Sequence, residues 1–184
     1  MFPVNVPNVL TLLRILLVPV VVVALLDETQ NGDLLAAIVF ALASVTDWVD
    51  GYVARSQGSV TTFGKLMDPI ADKLLVVAAL VALVSLDRLA AWVAMVIIGR
   101  ELAVTTSRMA ATNVGVVISA NRWGKVKTAL QVATIFLLIA VSGSPAWLDA
   151  LVYLTVVVTI VSGVEYFFGL RRTLADRERE GAQA

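Results

Sequence analysis

The chain has 184 residues, 59% of them hydrophobic and 15% charged, and its acidic and basic residues balance to a formal net charge of zero. A water-soluble domain of this length needs more polar surface, and a neutral chain gives no electrostatic reason to expect a nucleic-acid partner. With no cysteine and no histidine, disulfides, zinc–thiolate centres and Ser-His-Asp or Cys-His triads are excluded, leaving carboxylates, lysines and arginines for any metal or acid–base chemistry.

The N-terminal MFPVNVPN lacks the basic region and small-residue cleavage site of a signal peptide, so residue 1 is expected in the mature protein. Six apolar segments follow, at about Val9–Leu26, Leu34–Ala54, Pro69–Leu86, Leu89–Ala111, Trp123–Val141 and Trp147–Leu170. Each approaches the roughly 20 apolar residues that a membrane-crossing helix requires. Breakers separate them: Asp27–Asp33 with Asn31-Gly32, the polar run Ser56–Gly64, Asp87-Arg88, Thr112–Asn121 and Ser142–Pro145. Pro19 interrupts the first segment, which a membrane helix tolerates when neighbours satisfy the freed carbonyl. The expected fold is all-α, a polytopic membrane protein with six transmembrane helices. Residues 1–170 form one catalytic membrane domain, and residues 171–184, which include RRTLADRERE, form a charged, solvated tail.

Charge sets the orientation. Arg55, Lys65, Arg122, Lys125, Lys127, Arg171 and Arg172 flank one side, with Arg177 and Arg179 in the tail. The opposite loops carry Asp27, Glu28, Asp33, Asp87 and Asp149, with Arg88 as their one base. The positive-inside rule then puts both termini at the cytoplasmic face. Trp48 and Trp123 fall near the inner boundary, and Trp92 and Trp147 near the outer one.

Into this apolar frame falls the run D-x-x-D-G-x-x-A-R-x8-G-x-x-x-D-x-x-x-D, formed by Asp47, Asp50, Gly51, Ala54, Arg55, Gly64, Asp68 and Asp72. Carboxylates beside hydrocarbon are costly and are expected only where they line a wet cavity or a metal site. Asp47 and Asp50 are three residues apart and share a helix face near a C-terminus, where the helix dipole opposes them. Asp68 precedes Pro69, the arrangement of an N-cap followed by proline at the first helical position, and Asp72 lies one turn further on the same side. Capping alone would explain the second pair but not the first. Arg55, Lys65 and Lys73 are too few to hold all four acids. Two divalent cations would balance them, and an all-oxygen donor set suits Mg²⁺, Mn²⁺ or Ca²⁺, with substrate phosphates completing the Mg²⁺ shell.

This run resembles the signature of the CDP-alcohol phosphotransferase family at every fixed position. The resemblance implies a six-helix membrane enzyme, usually a homodimer, that moves a phosphatidyl-type group from a CDP-linked donor to an alcohol and releases CMP. It implies that Asp47, Asp50, Asp68 and Asp72 hold two divalent cations, Mg²⁺ or Mn²⁺. By the same resemblance Asp50, Gly51, Ala54, Arg55 and Gly64 contact the CDP moiety, and Asp72 is the general base. The wider pattern PNVLTLLR, VTDWVDGYVAR, FGKLMDPIADKLLV, GRELAVTTSR and GKVKT is similar to bacterial phosphatidylglycerophosphate synthases, from about residue 7 to residue 128. That similarity implies CDP-diacylglycerol as donor, sn-glycerol 3-phosphate as acceptor, membrane lipids as surroundings and the bacterial inner (cell) membrane as location.

Three polar clusters bear on the acceptor. Asn8, Thr11 and Arg14 recur at three-residue spacing on the first helix, where capping and snorkelling are the bland alternatives. Arg100 and Glu101 lie inside the fourth apolar run; Glu101, Thr105 and Arg108 share a face, and an internal ion pair of Glu101 with Arg100 or Arg108 is the structural alternative. Lys125 and Lys127 point to different sides of the fifth helix, so one faces the site and the other anchors. Arg14, Arg108 and Lys125 converging on a cytoplasmic cavity would suit a dianionic acceptor phosphate, with Asn8, Thr11 and Arg100 alongside. A phosphatidylinositol phosphate synthase uses the same chemistry on another acceptor. A cation transporter or channel is the competing class, but it predicts acids near the midplane and in both halves of the chain.

Overall fold

A computed structural model describes the backbone at residues 6–27, 31–57, 62–113, 122–141, 143 and 145–181. Side chains are described at 9, 11–27, 31–46, 70–71, 73–112, 123–141, 143 and 145–175. Six helices and no strand occur among these residues: α1 Val6–Leu26, α2 Gly32–Gln57, α3 Thr62–Ser85, α4 Ala91–Asn113, α5 Arg122–Ala140 and α6 Ala146–Gly181. Two of them are long and apolar enough to cross a membrane, over Trp123–Ala140 and Ala146–Ala175. α1 packs on α2 and α3, α5 on α6, α2 and α3, and α4 on α6 and α3.

The helical periodicity divides α1 and α6 cleanly. On α1, Thr11, Arg14, Val18, Val21 and Leu25 are buried at steps of three and four, whereas Leu12, Leu13, Leu16, Val20 and Val23 are exposed. On α6, Leu148, Val152, Thr155, Thr159 and Ser162 face inward while Leu154, Val157, Val161, Val164 and Phe168 face out. Polar side chains such as Arg14, Glu101, Lys127, Gln131 and Thr134 are therefore enclosed within a shell of exposed aliphatic groups. This is the reverse of a protein packed against water, whose exposed apolar patches are small. Phe40, Leu80, Leu83, Ile135, Ile139 and Leu148 fill the centre. Thr134 and Thr155 share a hydrogen bond of 2.7 Å between α5 and α6.

Two element ends differ from expectation. α3 begins at Thr62, so Asp68 is not an N-cap and Pro69 is not a first helical residue; both lie inside the helix. Proline there removes one amide donor, a loss that helices in apolar surroundings absorb when neighbouring groups take up the freed carbonyl. Pro19 sits inside α1 in the same way, as expected. α6 runs unbroken past Leu170 to Gly181, because the charged residues that follow are good helix formers without a breaker.

Where α1 ends and α2 begins, their backbones approach closely. A Cβ on Gly32 would lie 2.5 Å from the carbonyl oxygen of Asp27 and 2.7 Å from that of Ala24. Both obstacles are backbone. Gly32→Ala is therefore expected to destabilise the protein by about 1–3 kcal/mol, as overpacking does, although alanine favours helix elsewhere. A thermal midpoint in detergent that does not fall would show that the turn relaxes freely. At the same end α3 closes with Asp87 at φ 55°, Asp87 N–H donating to Val84 O (3.1 Å) and Arg88 N–H to Leu83 O (3.0 Å). This is a Schellman cap in which Asp occupies the left-handed position usually held by Gly or Asn. The cap aims Arg88 at Asp33 on α2, and the two guanidinium nitrogens donate to both carboxylate oxygens at 2.8 Å.

Candidate active site

The aspartate run occupies the opposite end. Asp47, Asp50, Gly51, Ala54 and Arg55 lie in the last turns of α2, and Gly64, Asp68 and Asp72 in the first three turns of α3. The helical backbone keeps Asp47 with Asp50 on one face of α2 and Asp68 with Asp72 on one face of α3, at the spacings of three and four residues that bring positions into register. Only residues 58–61 separate the two helices, so the chain brings these ends within about 18 Å at full extension. The side chains of these eight residues, and that of Asn8, lie outside the described residues. Among the described residues no three carboxylates gather as a metal site would require.

On α1, Thr11 and Arg14 are both buried on the face turned to the bundle. Their spacing of three residues keeps them in register with Asn8 one turn earlier. Arg108 is exposed and its guanidinium carbon lies 5.6 Å from the centre of the Tyr166 ring, a cation–π contact that ties α4 to α6. Lys125 is exposed, and Lys127 is the lysine that turns inward, because two residues rotate about 200° around a helix. Arg14 is thus held inside the bundle on α1, while Arg108 on α4 and Lys125 on α5 are exposed.

A cluster of charged side chains forms around Glu101. Lys73 on α3 donates to Glu101 Oε2, Lys127 on α5 donates to Oε1, and Arg100 Nη1 donates to Oε1 at 2.9 Å. Arg100 Nη2 also donates to Ser162 Oγ on α6, at 2.7 Å. Gly163 makes that reach possible: a Cβ there would stand 3.2 Å from Arg100 Cγ. The Arg100–Glu101 pair matches one of the ion pairs weighed from sequence. Lys73, Lys127 and Ser162 were missed as its partners. The signal available was that one acid in an apolar run requires cations from neighbouring helices, but the sequence does not name which ones.

The family model described as CDP-alcohol phosphatidyltransferase matches residues 4–161. The chain belongs to that family. It is 43% identical over 180 residues to the CDP-diacylglycerol--glycerol-3-phosphate 3-phosphatidyltransferase of Bacillus subtilis (strain 168), covering 89% of this chain and 93% of the relative. It is 37% identical over 169 residues to the protein of the same name from Rickettsia felis, covering 89% and 93%. A probable phosphatidylglycerophosphate synthase of Mycobacterium tuberculosis (strain H37Rv) is 40% identical over 167 residues, covering 88% and 79%. Membership makes the chain an enzyme of the phosphatidyltransferase class. The family match contains the whole aspartate run and the Glu101 cluster except Ser162.

Proposed function

We propose that the protein transfers the phosphatidyl group of CDP-diacylglycerol to sn-glycerol 3-phosphate, giving phosphatidylglycerophosphate and CMP. The observation that carries this reading is the complete aspartate run on the successive ends of α2 and α3 within a family match spanning most of the chain. The names of its relatives support the same donor and acceptor.

The donor set of Asp47, Asp50, Asp68 and Asp72 fits a hard divalent cation: every candidate ligand is a carboxylate oxygen, with no sulfur or imidazole in the chain. These four residues would hold two such ions, Mg²⁺ or Mn²⁺. When bound, such ions neutralise charge on a pyrophosphate. The rest is done by the chain. Gly51, Ala54 and Gly64 lack bulk and let the CDP moiety lie against the helices, with Asp50 and Arg55 at its polar groups. Asp72 takes the proton from the 1-hydroxyl of glycerol 3-phosphate as that oxygen bonds to the lipid-bearing phosphorus. The bond from this phosphorus to the bridging oxygen breaks, and CMP leaves with that oxygen. Arg14, flanked by Asn8 and Thr11, holds the acceptor phosphate from α1, with Arg100, Arg108 and Lys125 contributing positive charge around it.

Six membrane crossings, both termini and the aspartates on the cytoplasmic side of the bacterial inner membrane, complete the reading. The outward aliphatic shell and the charge asymmetry of the loops support it. So do Trp92, Trp123 and Trp147, each exposed at the second residue of its helix, where a bilayer interface would meet it. Residues 1–170 would be the catalytic unit, residues 171–184 a solvated extension of α6, and the working form a homodimer.

The test is CMP release by the purified protein in detergent with CDP-diacylglycerol, a divalent cation and one acceptor at a time. Release with glycerol 3-phosphate and none with inositol phosphate is the expected result. Release with inositol phosphate alone would keep the chemistry and overturn the acceptor.

A further inference from the structure

Glu101 is surrounded by more positive charge than an ion pair uses. Three cations, Lys73, Arg100 and Lys127, meet this one carboxylate, leaving two positive charges in surplus among the described residues. Buried charge is costly unless compensated, so fold stability alone gives no reason for the second and third cations.

The two carboxylate oxygens are used differently. Oε1 accepts from Lys127 and Arg100, whose side chains are 3% and 13% exposed. Arg100 is itself fixed to α6 through Ser162 and the close approach at Gly163. These enclosed groups brace the carboxylate from α5 and α6. Oε2 accepts from Lys73, which keeps 31% of its side chain exposed while Glu101 keeps 4%. Lys73 is the next residue of α3 after Asp72. A lysine on a free four-carbon stem samples many rotamers, and holding its ammonium in place beforehand removes that ordering cost from the reaction.

We infer that Glu101 is a positioning residue for phosphatidyl transfer, acting through Lys73: anchored by Arg100 and Lys127, its carboxylate holds the Lys73 ammonium on the turn of α3 that also carries Asp72, ready for an anionic oxygen of the reacting substrates. This inference rests on the proposed function. It adds a residue that touches no substrate yet links α3, α4, α5 and α6 to the chemistry.

The experiment is a double-mutant cycle on the full chain in detergent, read as CMP release with whichever of glycerol 3-phosphate and inositol phosphate supports wild-type turnover. Glu101→Gln and Lys73→Gln are each expected to lower kcat tenfold or more, with the KM for CDP-diacylglycerol within threefold of wild type. The double variant should turn over within threefold of the slower single one, because both changes remove the same contact. Glu101→Asp should recover part of kcat. Thermal unfolding identifies variants that fail to fold; if Glu101→Gln does, Glu101→Asp with Lys73→Gln forms the cycle under the same criterion. Losses that multiply, or a fully active Glu101→Gln, overturn the positioning role alone. Wild-type protein inactive with both acceptors overturns the functional reading and this inference with it.

Discussion

Asp72→Asn is expected to lower kcat by roughly a thousandfold while the protein stays folded. General-base catalysis is typically worth a factor of about 100–10,000, and asparagine keeps the size of the side chain while removing its basicity. The position is inside α3, one turn beyond Asp68, so the substitution leaves the helix and its packing on α1 unchanged. Its contribution lies in where it holds the hydroxyl as well as in accepting the proton. Single-turnover CMP release and a thermal midpoint in the same detergent check both halves of the expectation. Near-normal turnover would remove Asp72 as the base and leave it, at most, as one ligand among four.

Chelation has the second large effect. EDTA should bring CMP release to background, and added Mg²⁺ or Mn²⁺ should restore it. A second readout needs no turnover. Four carboxylates on neighbouring helix ends repel one another, so the metal-free protein should melt lower and divalent cation should raise the midpoint. At about a hundred times Kd the stabilisation is about 2.7 kcal/mol per site. Asp50→Asn should do the reverse of a simple loss: it relieves repulsion and stabilises the metal-free protein while reducing the gain on adding cation. A midpoint indifferent to divalent cations in wild type, together with activity that survives EDTA, would defeat the metal assignment. A midpoint that rises equally in wild type and Asp50→Asn would remove Asp50 from the ligand set.

How far the sequence carries depends on how local the determining physics is. The six helices were legible because span length and breakers act within a few turns: Asn31-Gly32 and Asp87-Arg88 end segments by their own backbone preferences. The largest error was at the start of α3, where Asp68-Pro69 carries the signature of a helix start. A proline inside a helix costs one hydrogen bond, a loss a longer helix can absorb, and the helix continues where local preference said it should begin. The tail's charged residues, at helical spacing, continue the helix as the last turns of α6.

The aspartate run shows what a chain determines unaided. Its carboxylates are spaced by three and four residues on two helices joined by a short link, and those intervals alone fix which positions share a face. This was enough to identify the family and to propose a donor set. The Glu101 cluster shows the opposite case. Lys73 is 28 residues from Glu101 in sequence and Lys127 is 26, and Ser162 is 62 from Arg100. Whether Lys125 or Lys127 turns inward depends on the rotation of α5 about its own axis, and that rotation is set by packing against α2, α3 and α6. The same holds for Arg88, which meets Asp33 across 55 residues, and for Gly32, whose necessity comes from two carbonyl oxygens at the end of α1. Helix formation and the spacing of acids along a helix are short-range properties written residue by residue. The partners of a buried charge are chosen by how whole helices pack, so only the tertiary structure decided them.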